Sequence, residues 1–241
     1  MNRILPAALL TDMCAENHAH RGYLMCMTSR TLCSAAIPLV VCSVLSVLLS
    51  AQSPWELQPL DTTGTVTYFI GNGEPESTYR RSDRDLATWA LQAWERSIDG
   101  RLRFEPSSEN EALIRVYWVT PDTGLYGEMQ PLTVNGRRGA AVYVRTDTDV
   151  GGEKIAQLAR TDPLFRDSVV YLTCLHEIGH ALGLTHTNNI ADIMYFFGFG
   201  GDIPGFFNRY RMRIADRNNI AEISGLSTND INRIRTLYPR P

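Results

Sequence analysis

Residues 176–186 read His-Glu-Ile-Gly-His-Ala-Leu-Gly-Leu-Thr-His, a run whose residue types and spacing suit metal-assisted hydrolysis. On a helix, His176 and His180 lie four apart and project from one face, so two imidazoles can grip one ion from the same side. Gly183 falls where that helix must stop, and a glycine can take the left-handed conformation that reverses the chain. The reversal can bring His186 back to the first two histidines. Three neutral nitrogen ligands with an open fourth position are what a catalytic zinc site requires. Glu177, beside the first ligand, can reach a zinc-activated water as general base without binding the ion. These three are the only histidines beyond residue 20, whereas a histidine met singly would be read as a core residue.

The rest of the chain must position this run. Thr65–Ile70 reads as a first strand, closed by Gly71-Asn72-Gly73. A helix is predicted over 82–98, with Leu86, Ala90, Ala93 and Trp94 at helical spacing, Ser82 or Asp83 as cap and Gly100 as stop. Strands follow at 102–105 and 112–120. Residues 121–138 read as loop, and 140–145 as a further strand at a sheet edge. The metal-binding helix is expected over 168–182, capped by Asp167 or Ser168, with Tyr171, Leu175, Ile178 and Leu182 as its core stripe. Cys174 is two residues from His176 and reads as a small core residue pointing away from the metal. The glycine-rich stretch 197–207 is expected to be irregular. A last helix over 228–238 begins at Ser227 with Asp230 as capping-box partner and stops at Pro239. This order of elements implies an α+β fold with a twisted mixed sheet, an active-site helix and a C-terminal helix.

Composition bounds the function. The chain has 241 residues, 44% of them hydrophobic, and a formal net charge of -3. That is enough for one sizeable core and leaves no basic field for nucleic acid. Residues 35–49 form an uncharged apolar run after Arg30 and before Ser50-Ala51-Gln52, the pattern of a secretory signal. Cleavage is expected after Ala51, leaving 52–241 as one catalytic domain, secreted or extracytoplasmic; the alternative is a membrane anchor over 31–51. Residues 1–24 are unusual ahead of a signal, and translation from Met25 or Met27 would give a leader of ordinary length. Cys14, Cys26, Cys33 and Cys42 fall in this leader, so only Cys174 remains beyond it.

The motif is identified as that of the metzincins, H-E-x-x-H-x-x-G-x-x-H followed by a Met-turn, here Ala191-Asp192-Ile193-Met194-Tyr195. The resemblance implies that Met194 packs beneath the ligands. Tyr195 directly follows Met194 and so does not match the zinc-contacting tyrosine of astacin-like members. Within the clan the chain most resembles the matrixins. Ala87–Ile98 with Leu102-Arg103-Phe104 is similar to their first helix and next strand, and Leu226–Ile231 through Pro239 to their closing helix. Gly139–Val144 is similar to their substrate-receiving edge strand, which makes Gly139, Ala140 and Ala141 substrate-contacting candidates.

The resemblance implies a zinc endopeptidase acting on protein or peptide, as a monomer, with one catalytic zinc. Calcium is a further candidate, with Asp147, Asp149, Gly151 and Asp202 as possible oxygen donors. The chain departs from the family in two ways. No histidine lies between the third strand and the active-site helix to hold a second zinc, and no cysteine-bearing propeptide fits between leader and first strand, so latency by that switch is not expected. Two alternatives are a zinc hydrolase of a non-peptide substrate, marked by failure on a broad peptide library at full zinc occupancy, and a non-catalytic zinc-stabilised binding module. An intact Glu177 disfavours the second, since a ligand-only role needs no base there.

Overall fold

The computed structural model describes residues 58–62, 64–74, 76–121 and 126–240. The leader and its cysteines lie outside the described residues. Within residues 51–241, five strands form one twisted mixed sheet: β1 (Thr65–Ile70), β2 (Arg103–Pro106), β3 (Ile114–Val119), β4 (Gly127–Val134) and β5 (Arg137–Arg145). Their order is β2-β1-β3-β5-β4. The first four in that order run parallel, and β4 is antiparallel to β5. β3 shows why these residues make a strand: Ile114, Val116 and Trp118 are buried while Arg115, Tyr117 and Val119 are only partly covered.

Two helices supply the core that fixes the site. α1 (Asp83–Ser97) buries Leu86, Ala90, Leu91 and Trp94. It packs on α3 (Pro163–Ala181), the longest helix, after the shorter α2 (Glu153–Thr161). The Trp94 indole N–H donates to the Leu175 carbonyl at 2.9 Å, tying the two helices at the residue just before the metal-ligand position His176. A buried ion pair adds to this. Both oxygens of Asp83 accept from the Arg166 guanidinium, and Arg166 reaches the Thr146 carbonyl at 3.3 Å. Burial opposes the Arg166 charge, but Asp83 and Asp167 hold its pKa above the usual value.

Four expectations need correction. Residues 121–138 are not all loop, because β4 and a tight hairpin turn lie there. Asn135 (φ 50°) and Gly136 (φ 76°) form that turn. Asn-Gly is the preferred pair where both central residues need positive φ, and this was the signal overlooked. Second, Gly139, Ala140 and Ala141 are not on an edge: β5 is paired with β3 on one side and β4 on the other. Gly139 lacks a side chain for packing reasons, since a Cβ there would sit 2.6 Å from the Leu113 carbonyl oxygen. Third, α3 begins five residues before the expected start. Asp162 caps it, accepting from Leu164 N and Phe165 N, with Pro163 in the first helical position. Fourth, 197–207 is not wholly irregular. After a short 3₁₀ turn (Phe197–Phe199), Asp202 caps α4 (Ile203–Arg211), which buries Phe206, Phe207 and Tyr210. The short α5 (Asn219–Glu222) and α6 (Thr228–Leu237) complete the fold. α6 starts with the expected capping box, Ser227 and Asp230 each accepting from the other's backbone N–H.

Candidate metal centre

His176 and His180 stand on the last two turns of α3. The helix ends at Ala181, and Gly183, with φ of +100°, reverses the chain. A Cβ at Gly183 would lie 2.7 Å from the Gln58 carbonyl oxygen, so the position excludes a side chain on two counts. Gly183 N and Leu184 N donate to the His180 and Gly179 carbonyls as the helix closes. The reversal brings His186 back to the helix. The Nε2 atom of His180 lies 3.1 Å from Nε2 of His176 and 3.1 Å from Nε2 of His186. Tetrahedral zinc with Zn–N bonds of about 2.05 Å would space its ligands by about 3.3 Å. The three nitrogens therefore fit zinc.

The other ring nitrogens agree with that use. His176 Nδ1 meets the Ile193 carbonyl at 2.6 Å and His180 Nδ1 meets the Leu184 carbonyl at 2.7 Å. A carbonyl can only accept, so each Nδ1 carries the proton and each Nε2 is left with a lone pair for a metal. Burial disfavours imidazolium, pushing His176 down to about 4 and His180 to about 3, with His186 lowered as well. All three are thus neutral, ligand-ready imidazoles at physiological pH.

The floor of the site is built by Met194, which is fully buried. A Cβ on Gly179, between the two helical ligands, would meet Met194 Sδ at 2.5 Å, so glycine lets the methionine lie directly under the histidine pair. The Met-turn is itself held from α6. Asp230, also fully buried, accepts from Ile193 N at 2.8 Å and Ser227 N at 2.9 Å. Asp192 accepts from the Ser227 hydroxyl and the Asn229 amide, both at 2.7 Å. Because Ile193 also supplies the carbonyl bonded to His176, Asp230 acts on the metal centre through one backbone segment. Its capping partnership was legible in the sequence; this second role was not, since it depends on where the turn lands.

Glu177 is buried beside the ligands. Burial first, and the nearby Glu128 carboxylate second, raise its pKa to about 8 in the metal-free site. Its cover is Gly127, at the start of the edge strand β4: a Cβ there would lie 2.6 Å from Glu177 Cγ and 2.8 Å from Oε1. Gly127 and Glu128 were missed as site residues, because they lie in the stretch taken for loop. Next to them, Tyr126 packs against Phe197 and Phe207 at 6.3 and 5.8 Å, joining the edge strand to the segment after Met194. The Tyr195 hydroxyl donates to the Gly200 carbonyl at 2.9 Å. Cys174 is fully buried, and burial pushes its thiol pKa well up, which leaves it inert.

The side chains of the three acidic calcium candidates are engaged within the protein. Asp147 pairs with Arg145, Asp149 with Arg160 at 3.4 Å, and Asp202 caps α4 through Gly205 N. Gly151 lies against the Tyr126 hydroxyl, which a Cβ there would displace. Among the described residues, the metal-capable cluster is His176, His180 and His186.

A three-histidine site on a helix-and-turn, over a methionine and beside a mixed sheet, is the arrangement of a metzincin-type metal centre. The matrixin model of peptidase family M10 matches residues 59–239, and the chain belongs to the matrixin family. It is 30% identical over 196 residues to interstitial collagenase of Equus caballus, covering 80% of this chain and 37% of the relative. It is 29% identical over 179 residues to macrophage metalloelastase of Rattus norvegicus, covering 73% and 33%. The chain thus spans only about a third of the length of these relatives.

Proposed function

We propose that the chain is a zinc-dependent endopeptidase in which Glu177 is the general base. The observation that carries this is the placement of a buried carboxylate beside three converging Nε2 atoms and directly under an edge strand. β4 is paired on one side only, to β5. An extended peptide can therefore add to its free edge through main-chain hydrogen bonds, which replaces the sequence-based assignment of that role to Gly139, Ala140 and Ala141. When bound, zinc supplies Lewis-acid polarisation of a carbonyl and brings the pKa of a water to about 7.

This chain's own groups do the remainder. Gly127 lets the edge strand approach Glu177 to within contact, so a substrate carbonyl on that edge is delivered to the base. Glu177, held high by burial and Glu128, ionises more readily opposite a cation. It takes a proton from the attacking water and returns it to the leaving amine. Asp230, Met194 and the two Nδ1–carbonyl bonds keep the ligands in place meanwhile. The leader, if it acts as a secretory signal, would place this activity outside the cytoplasm, retained at a membrane only if 31–51 stays attached. Among the described residues no helix is long and apolar enough to cross a membrane.

The test is Glu177→Ala in the zinc-loaded protein. It is expected to keep the fold and one equivalent of zinc while losing cleavage of an unstructured protein such as casein. Undiminished cleavage would remove Glu177 from the mechanism, and a wild-type protein that holds zinc yet cuts no peptide would overturn the endopeptidase reading.

A further inference from the structure

A cavity of about 480 Å³ lies beside the third ligand, bordered by His186, Asn188, Asn189, Phe199, Asn229 and Arg233. Its size suits a side chain with accompanying water. Only His186 among these has a role in the mechanism above. The chemistry of the wall is uneven. Phe199 is exposed and presents its ring, packed edge-on to Phe196 at 5.2 Å. Opposite charges are also present, but they are not equally free. Asp192, which also borders the cavity, is buried with one oxygen taken by the Ser227 hydroxyl and the other by the Asn229 amide. Arg233 spends Nη2 on the Thr185 carbonyl and hydroxyl, both at 2.9 Å, while its Nη1 is buried with no hydrogen-bond partner. That nitrogen is covered by protein, so what the cavity meets is the charge of the guanidinium, for which a carboxylate is the best partner.

His186 points the same way. His176 and His180 both donate Nδ1–H to carbonyls, but among the described residues His186 Nδ1 has no such acceptor, and the ring is exposed. With Nε2 facing the metal position, its Nδ1–H is an unused donor on the cavity side of the ligand set. Asn189 uses its Oδ1 to accept from Ala191 N at 3.1 Å, which leaves its amide hydrogens free, and exposed Asn188 has no partner among the described residues. The cavity therefore offers neutral donors and, beside an Asp192 carboxylate whose oxygens are both engaged, one guanidinium with no carboxylate partner among the described residues, with an aromatic ring to cover a short aliphatic stem.

We propose that this cavity is a substrate subsite for an acidic side chain, a Glu or Asp within a few residues of the scissile bond, with its carboxylate on Arg233 and His186 Nδ1–H. The proposal rests on the endopeptidase reading and adds to it a charge preference.

The experiment uses the full chain loaded with zinc and a set of fluorogenic peptides carrying Glu, Gln or Lys at each position in turn. Both ends are acetylated or amidated, so that no chain-terminal carboxylate can stand in for the side chain. At one position, kcat/KM is expected to be roughly tenfold higher for Glu than for Gln, the scale of one charge-assisted hydrogen bond, and to narrow with added salt. Binding of the same peptides to Glu177→Gln, followed by fluorescence anisotropy, gives a readout independent of turnover. Asn188→Asp puts a negative charge in the cavity wall and should abolish the Glu preference, read as the ratio of kcat/KM for Glu and Gln peptides so that any change in overall rate cancels. Arg233→Gln should lose the preference too, and Arg233→Lys should keep part of it. Equal handling of Glu and Gln peptides by the wild type, or a preference that survives Asn188→Asp, overturns the subsite alone. Failure to bind or cleave any peptide overturns the endopeptidase reading and the subsite with it.

Discussion

Gly127→Ala tests whether the edge strand delivers substrate to Glu177. A methyl group at this position would start 2.6 Å from Glu177 Cγ and 2.8 Å from both Glu177 Oε1 and Thr173 Cγ2. Carbon atoms in contact sit about 3.5–4.0 Å apart, so the methyl must gain about 1 Å of clearance. α3 cannot give: Thr173 and Glu177 are buried on a helix packed against α1 and the sheet. β4 can, because it is paired on one side only. The strand should therefore lift away from the base by about 1 Å. Relieving such overpacking costs about 1–3 kcal/mol of stability. A displacement of that size between substrate and catalytic group costs on the order of 100-fold in rate. The assay is kcat/KM on a fluorogenic peptide, with zinc stoichiometry and urea unfolding measured on the same preparation. The expected result is a loss on the order of 100-fold with zinc still at one equivalent. Activity within a factor of about three of wild type, at unchanged stability, would refute both the close approach and its role.

Three further outcomes follow from the same geometry. Asp230→Ala strips a buried acceptor from Ile193 N and Ser227 N, which should cost roughly 3 kcal/mol in denaturant unfolding and, by loosening the carbonyl that orients His176, weaken zinc about 10–100-fold in chelator competition. Asp83→Ala leaves Arg166 buried with a weaker set of partners and should cost about 3 kcal/mol in urea unfolding, while the zinc affinity of the folded fraction stays near wild type. The pH dependence of zinc binding has a definite sign. Zinc needs neutral imidazoles, and burial holds His176 at about 4 and His180 at about 3, so protons compete with the metal for these two only as pH falls towards 4. From pH 7 to 5 the affinity should drop by less than about thirtyfold, the factor that one unshifted imidazole alone would give; a drop near 10⁴, as for three free histidines, would show that the ligands are not preorganised by burial.

What could be read in advance divides along physical lines. The ligand set follows from short-range geometry: a four-residue helical spacing, one glycine stop and a return within three residues. The strand at 65–70 and the capping box at Ser227 and Asp230 are equally local, and the sheet and helices took the expected mixed form. The misplaced features depend on pairing between distant segments. The pattern of 140–145 shows that it is a strand, but nothing in it says whether a second strand covers its far side. β4 itself is polar and carries Pro131 and Gly127, so it lacks the apolar alternation that marks a strand with a buried face. Its one strong local signal was the Asn135-Gly136 turn. The early start of α3 is also local, in Asp162-Pro163, but Pro163 lies eight residues before Tyr171, the first residue of the apolar stripe.

The site is therefore assembled from two halves of different stiffness. The half that holds metal is bound on every side: α3 is tied to α1 through Trp94, the turn at Gly183 is pinned against Gln58, and the Met-turn hangs on the buried Asp230. The half that would hold substrate consists of an edge strand and the segment from Phe196 to Phe207, which meet where Tyr126 packs on Phe197 and Phe207. The Tyr126 hydroxyl is buried there without a hydrogen-bond partner, so this contact is held by ring packing alone. Ring packing tolerates sliding far better than a carboxylate holding two backbone N–H groups does. Substitutions among Tyr126, Phe197 and Phe207 should accordingly change which peptides are cut while leaving zinc in place, whereas the same degree of change around Asp230 should release the metal.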